Sequence, residues 1–158
     1  MSEQDPRPTW VRLAHRFAEG LYRRVFWLIA MLGLPPGFIV RLEVEGCRSG
    51  KVRSVIVLCA DHDGSRYLVS VLGERANWVR NVRAAGGAAV IRHGRTHRVR
   101  LEEVPAPERP PILRAYLKRA LGARPLFAVA HDASLQEFAR IAPKHLVFRV
   151  ATARGEHA

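Results

Sequence analysis

Nine residues, Gly46-Cys47-Arg48-Ser49-Gly50-Lys51-Val52-Arg53-Ser54, separate two stretches that read as β-strands, Phe38–Glu45 and Ser54–Ala60. The run holds three cations, two glycines and two hydroxyls. Glycines allow a tight reversal with positive φ and leave backbone N–H groups exposed. Arginine adds forked donors that match phosphate or carboxylate oxygens. The segment therefore predicts a strand–turn–strand corner. Two readings of it stay open at this point, a solvated basic turn and a cradle for an anion.

The rest of the chain supplies further strands. Asp61-His62-Asp63-Gly64 carries a hairpin signal and leads into a return strand over Arg66–Leu72. A loop from Gly73 to Asn77 precedes a short helix over Trp78–Ala85, stopped by Gly86-Gly87. Ala88–Arg92 and His97–Val104 predict a second hairpin around His93-Gly94-Arg95, and Leu146–Val150 a last strand. A helix is expected over Pro107–Leu121, where Pro110-Pro111 is tolerable only in the first turn, and another near Ser134–Ile141. Five to six strands with short turns, with helices at the front of the chain and after the second hairpin, predict a small β-barrel with helices packed outside it.

At the front, Thr9 is placed to cap a helix running to about Met31, stopped by Gly33 and Pro35-Pro36. Its apolar positions, among them Leu13, Phe17, Leu21, Val25 and Leu28, fall at helical spacing beside Arg12, Arg16, Arg23 and Arg24. Such a helix either packs on the domain or lies in a membrane interface. The apolar run Val25–Leu34 is too short to span a bilayer. The expected division is an amphipathic helix over 1–36, a barrel domain over 37–151 and a loose tail over 152–158.

The 158 residues suffice for one domain with a real core, and the formal net charge is +12. A surface so cationic attracts anions: nucleic acid, acidic lipid or a multiply charged cofactor. Cys47 and Cys59 fit no metal-ligand spacing, and two free thiols suit the cytoplasm. His93 and His97 straddle a hairpin turn with no acidic third ligand near, so no metal site is expected. His131, Asp132 and Ser134 lack the Gly-x-Ser-x-Gly elbow of a hydrolase. Arg98 and Arg100 share one face of a strand, but no aromatic interleaves with them, so a solvated barrel face is expected and no specific nucleic-acid partner. Trp78, in the first turn of its helix, reads first as a core anchor.

Two segments resemble the deazaflavin-dependent nitroreductase family. Gly46–Ser54 is similar to that family's Gly-Arg-(Lys/Arg)-Ser-Gly-x-x-Arg turn, and Ser70–Arg83, containing Trp78-Val79-Arg80-Asn81, to its strand, loop and Trp-x-x-Asn-Leu helix. The resemblance covers about Ile39 to Val104. It implies a split β-barrel of the FMN-binding-barrel kind, mainly β with flanking helices (α+β), and the deazaflavin coenzyme F420 as cofactor ahead of FMN. Carried over by position, it implies that Arg48, Ser49, Gly50, Lys51 and Arg53 hold the phosphate and acidic tail. Ser54 and Val55 then run beside the ring, with Ser70, Gly73, Asn77 and Trp78 closing the other side.

The family's usual Arg-Thr-Thr-Pro is here Arg53-Ser54-Val55-Ile56, and its pocket tyrosines are replaced by Pro125-Leu126-Phe127-Ala128-Val129. The expectation moves accordingly from nitroimidazole reduction to an apolar substrate, an unsaturated lipid or quinone-like molecule, in a pocket lined by Leu126, Phe127 and Val129. The pattern resembles a lipid-associated branch of the family. No catalytic residue is assigned. The expected activity is hydride transfer from reduced F420; the alternative is a non-catalytic, membrane-associated split barrel that binds lipid or cofactor. A cytoplasmic location is expected, either free or peripheral on the inner, anionic face of the membrane, with a homodimer as an open option.

Overall fold

The computed structural model of the chain describes residues 37–153. The expected helix from Thr9 to Met31 and the boundary at residue 36 lie outside the described residues, as do the tail positions from 154 onward.

Six strands, β1 (Ile39–Glu45), β2 (Val52–His62), β3 (Ser65–Ser70), β4 (Ala88–His93), β5 (Arg95–Glu103) and β6 (Leu146–Thr152), are joined by three α-helices. The helices are α1 (Asn77–Ala84), α2 (Arg109–Arg119) and α3 (Leu135–Ile141). The strands close an antiparallel barrel in the order β1-β2-β3-β6-β5-β4. This is the expected split-barrel, FMN-binding-barrel-like architecture with flanking helices.

Alternation along each strand sorts the core into two parts. Val40, Leu42, Cys59, Leu68, Val99 and Phe148 point into the barrel. Their neighbours of opposite parity, such as Ala60, Val69 and Val147, point outward and are covered by Leu113, Leu117 and Phe138 from α2 and α3. Each fully buried leucine or phenylalanine contributes about 1.5–3 kcal/mol. Helix α1 is the exception to helices packing outside. Its Val79 and Val82 join the interior cluster, and the Trp78 ring meets Phe148 at 5.4 Å.

Several boundaries differ from the sequence expectation for local reasons. β2 extends to His62, because Asp63 (φ 48) and Gly64 (φ 73) alone make the reversal, a two-residue hairpin turn. β3 stops at Ser70, and a single 3-10 turn over Gly73–Arg75 leads into α1. The helix expected over Pro107–Leu121 is a 3-10 turn, Ala106–Glu108, followed by α2, which keeps Pro110-Pro111 in its first turn. β6 runs to Thr152, one residue into the stretch expected to be loose, and pairs it with Val99. Ser134 and Glu137 form a reciprocal capping box at the start of α3.

One buried cation organises the far side. Arg109 donates to the carbonyls of Val104 at 2.7 Å and Ala142 at 3.0 Å, tying the start of α2 to the 3-10 turn Ala142–Lys144. Buried charge is tolerated where its donors are satisfied in this way.

Candidate functional site

The cationic turn between β1 and β2 is held by its own backbone. Gly46 N–H donates to Lys51 O at 2.8 Å and Gly50 N–H to Gly46 O at 2.9 Å. Ser49 Oγ accepts from Lys51 N–H at 3.3 Å. A Cβ on Gly46 would sit 3.0 Å from Ser49 Oγ and 3.1 Å from Lys51 O, so the turn is folded tightly over this position. A second element pins it: Asn81 Oδ1, on α1, accepts from Cys47 N–H at 3.1 Å.

β2 then overhangs the barrel. It pairs with β1 from Val52 to Leu58, but its register with β3 is confined to Cys59–His62. Among the described residues, Ser54–Leu58 is therefore paired on one side only. Beside that free edge opens a groove of about 1260 Å³. Residues 53–58 form one wall, Val69–Leu72 the opposite wall, and Asn77, Trp78, Arg80 and Asn81 of α1 close one end with Cys47, Arg48 and Ser49 of the turn. Tyr116, Arg119, Ala120, Leu121, Ala123 and Leu126 line much of the remainder.

Of the positions expected to hold a cofactor, Arg48, Ser49, Arg53, Ser54, Val55, Ser70, Asn77 and Trp78 are brought together in this groove. Gly50 and Lys51 sit in the same turn but do not line it; Gly50, at φ 65, makes the reversal. Gly73 also stands behind the wall: it is buried, at φ 59, against the carbonyl of Lys144. Of the expected pocket residues only Leu126 lines the groove. Phe127 is buried in the outer core, stacked on His145 at 4.1 Å and 6.0 Å from Tyr116, and Val129 packs against the same cluster.

The electrostatics of the two ends differ. Among the described residues, Arg48, Lys51, Arg53 and Arg80 have no carboxylate within ion-pair distance. Among the described residues, no Asp, Glu or His lines the groove. Arg119, at the other end, is neutralised by Asp61 at 3.0 Å. Burial pushes the Asp61 carboxyl up, but its bonds to Arg66 and Arg119 outweigh this and hold it below its ordinary value. Burial pushes the Cys59 thiol up to about 12 and raises the Tyr116 phenol, so both stay neutral. The Ser70 hydroxyl is committed, donating to Gly73 O at 2.8 Å.

Other candidates resolve into structural roles. His93 Nδ1 bonds the Ile39 carbonyl at 3.0 Å, and Ser134 caps α3. Among the described residues no three His, Cys, Asp or Glu side chains cluster as metal ligands. Asn81 is the asparagine of the Trp-x-x-Asn-Leu helix, but no site role is expected for it from the sequence, nor for Leu72, Leu121 or His145. Trp78 and Asn81, three apart on α1, share a helix face.

The family model for F420H(2)-dependent quinone reductases matches residues 22–129, more than half of the chain. The chain belongs to the F420H(2)-dependent quinone reductase family. Membership supports an F420-dependent oxidoreductase activity in general and a small-molecule substrate. No curated protein sequence matches the chain. Among solved structures, a conserved hypothetical protein from Mycobacterium tuberculosis is similar at TM-score 0.55 and 14% identity, covering 81% of this chain and 79% of that one. A putative 5-nitroimidazole antibiotic resistance protein from Bacteroides thetaiotaomicron has TM-score 0.51 and 11% identity, covering 85% and 80%. A chain described as a domain-swapped dimer has TM-score 0.51 and 14% identity, covering 87% and 98%. At these identities the likeness is one of fold.

The groove suits the cofactor that the family implies. Cations without counter-carboxylates beside folded-back glycines fit a phosphate and acidic tail, and the wall of Val55, Val57 and Val71 fits a flat ring.

Proposed function

We propose that this quinone reductase family member binds reduced F420 in the groove and passes its hydride to a flat apolar acceptor, a quinone or an unsaturated lipid. Bound reduced F420 supplies hydride, and a quinone that takes it with one proton from water becomes the quinol. The protein's task is to hold two flat molecules in contact and keep competing water out.

Arg48, Lys51 and Arg53, with the hydroxyl of Ser49 and the tight turn that Gly50 reverses, bind the phosphate and acidic tail. Ser54 and Val55 lie along the ring on the free edge of β2, and Ser70, Asn77 and Trp78 face them. Gly73 acts from behind this wall by letting the chain pass close to Lys144. Leu126, with Leu72 and Leu121, contacts the acceptor, while Phe127 and Val129 support that side from the core. The observation that carries the proposal is one groove lined both by Arg48, Arg53 and Arg80, which have no carboxylate within ion-pair distance among the described residues, and by exposed leucines: Leu72, Leu121 and Leu126 are 58%, 64% and 61% exposed. Fluorescence titration of F420 tests the cofactor half. Saturable binding that weakens as salt rises is expected, because the anion contacts are partly exposed; no binding would sink it.

The same reading keeps the barrel domain of 37–151 in the cytoplasm, peripheral on the inner membrane face through Trp10–Leu34. Its support is the pattern of apolar residues and arginines there and the net charge of +12. Among the described residues, no helix is long and apolar enough to cross a membrane. Co-sedimentation with anionic vesicles, lost when the residues before Pro35 are removed, is the expected result.

A further inference from the structure

We infer that His145 is a positioning residue that sets the spacing between the two apolar lips of the groove. The inference rests on the reading of the leucine-lined end as the acceptor side. His145 is only 7% exposed and does not itself line the groove. It touches both segments that do. Its Nδ1 bonds the carbonyl of Val71 at 3.1 Å, next to Leu72. Its ring stacks on Phe127 at a centroid distance of 4.1 Å and an interplanar angle of 21°, next to Leu126. Leu72 and Leu126 belong to segments far apart in the chain, and the imidazole sits between their anchors.

The chemistry of the contact is restrictive. A carbonyl only accepts, so Nδ1 must carry the proton. Burial lowers the imidazole's affinity for a second proton, the Val71 and Ser70 carbonyls only partly offset this, and the Lys144 charge adds to the lowering, so the ring is neutral near pH 7. The ring is flat, which lets one face meet Phe127 while its edge holds Val71. The preceding 3-10 turn is fixed as well, because Arg109 donates to Ala142 O and Lys144 O abuts Gly73. The imidazole is thus held from its own backbone and transmits that position to both lips.

The test uses the full chain with His145→Asn and His145→Gln. Both replace the ring by a neutral amide, but only asparagine carries its N–H near the place of Nδ1. Three readouts are taken: F420 affinity by fluorescence, binding of the uncharged apolar dye Nile red without cofactor, and steady-state oxidation of reduced F420 by a decyl-chain quinone against a tail-less one. His145→Gln should weaken Nile red binding and raise KM for the decyl quinone by about tenfold, the loss of one buried hydrogen bond. It should leave kcat and KM for the tail-less quinone within about twofold, and F420 affinity should fall clearly less than Nile red affinity, because the cationic turn that holds the charged tail does not touch His145 although the Val71 wall does. His145→Asn should recover most of the loss. Equal behaviour of the two variants, whether both like wild type or both impaired, would overturn the inference. So would a loss of F420 affinity in parallel with dye binding. If wild type oxidises reduced F420 with neither quinone, the acceptor reading fails, and the Asn–Gln difference in dye binding still decides the role of His145.

Discussion

Asn81 accepts a hydrogen bond from the Cys47 N–H at 3.1 Å, and this contact couples the first turns of α1 to the cationic turn between β1 and β2. It joins two groove-lining elements that are 34 residues apart. Asn81→Ala removes the acceptor and releases the turn. Affinity for F420 should fall by about three- to tenfold, the value of one hydrogen bond plus the cost of reordering the loop. Stability should fall by only about 1 kcal/mol, because the contact is exposed. Equilibrium titration and urea denaturation of the same preparation separate the two effects.

Arg53→Ala tests the cations directly. Charge-assisted contacts to a phosphate are worth about 1.5–3 kcal/mol each, so affinity should fall by at least about tenfold. Folding should be unaffected, since the Arg53 side chain is exposed and the substitution keeps its backbone pairing with Val44. The variant should also show a shallower dependence of affinity on salt. An unchanged dissociation constant would remove Arg53 from the site.

How much of this was legible beforehand follows from how local each feature is. The turn at Gly46–Ser54 announces itself because its glycines, serine and arginines act within nine residues. The Asp63-Gly64 hairpin and the start of α1 at Asn77-Trp78 are equally local. The overhang of β2 is not, because it depends on β3 being shorter than its partner strand. Phe127 and Leu126 are adjacent and similarly apolar, yet one is 7% and the other 61% exposed. Composition cannot separate wall from core. The bond from His145 to Val71 spans 74 residues and leaves no periodic trace.

Gly73 carries a prediction about stability. At φ 59 an L side chain is strained, and a Cβ would lie 2.3 Å from the carbonyl oxygen of Lys144. Gly73→Ala must shift either its own buried backbone or the carbonyl of Lys144 and should cost about 2 kcal/mol or more. Thermal melting should show a drop of about 5 °C or more. Gly64→Ala, where a Cβ meets nothing within 4 Å, keeps the backbone strain without the clash and should cost less.

The depressed affinity of His145 for a proton makes a prediction about pH. Burial is the main cause, and the folded value lies below the ordinary 6.5. The unfolded chain therefore binds the proton first as pH falls, and the folded state loses stability from about pH 6.5 downward until the folded value is passed. Above that window the contribution is fully present. His145→Asn lacks the titration, so its melting temperature should fall less than that of wild type between about pH 7.5 and pH 5.5. Asp61, held below 3.8, stays ionised throughout that range and does not confuse the comparison.

The central claim is that one groove joins an anion-binding turn to an apolar acceptor surface. The most direct measurement follows the reoxidation of reduced F420 by wild-type protein with two acceptor classes, a menaquinone-like quinone and a small nitroaromatic. Leu72, Leu121 and Leu126 offer an apolar acceptor buried area worth about 25 cal/mol per Å², and the nearby hydroxyls give a nitro group little, since Ser70 is committed to Gly73 O and Tyr116 is buried. Faster turnover and a lower KM with the quinone are expected. Fast turnover of the nitroaromatic with none of the quinone would contradict the account.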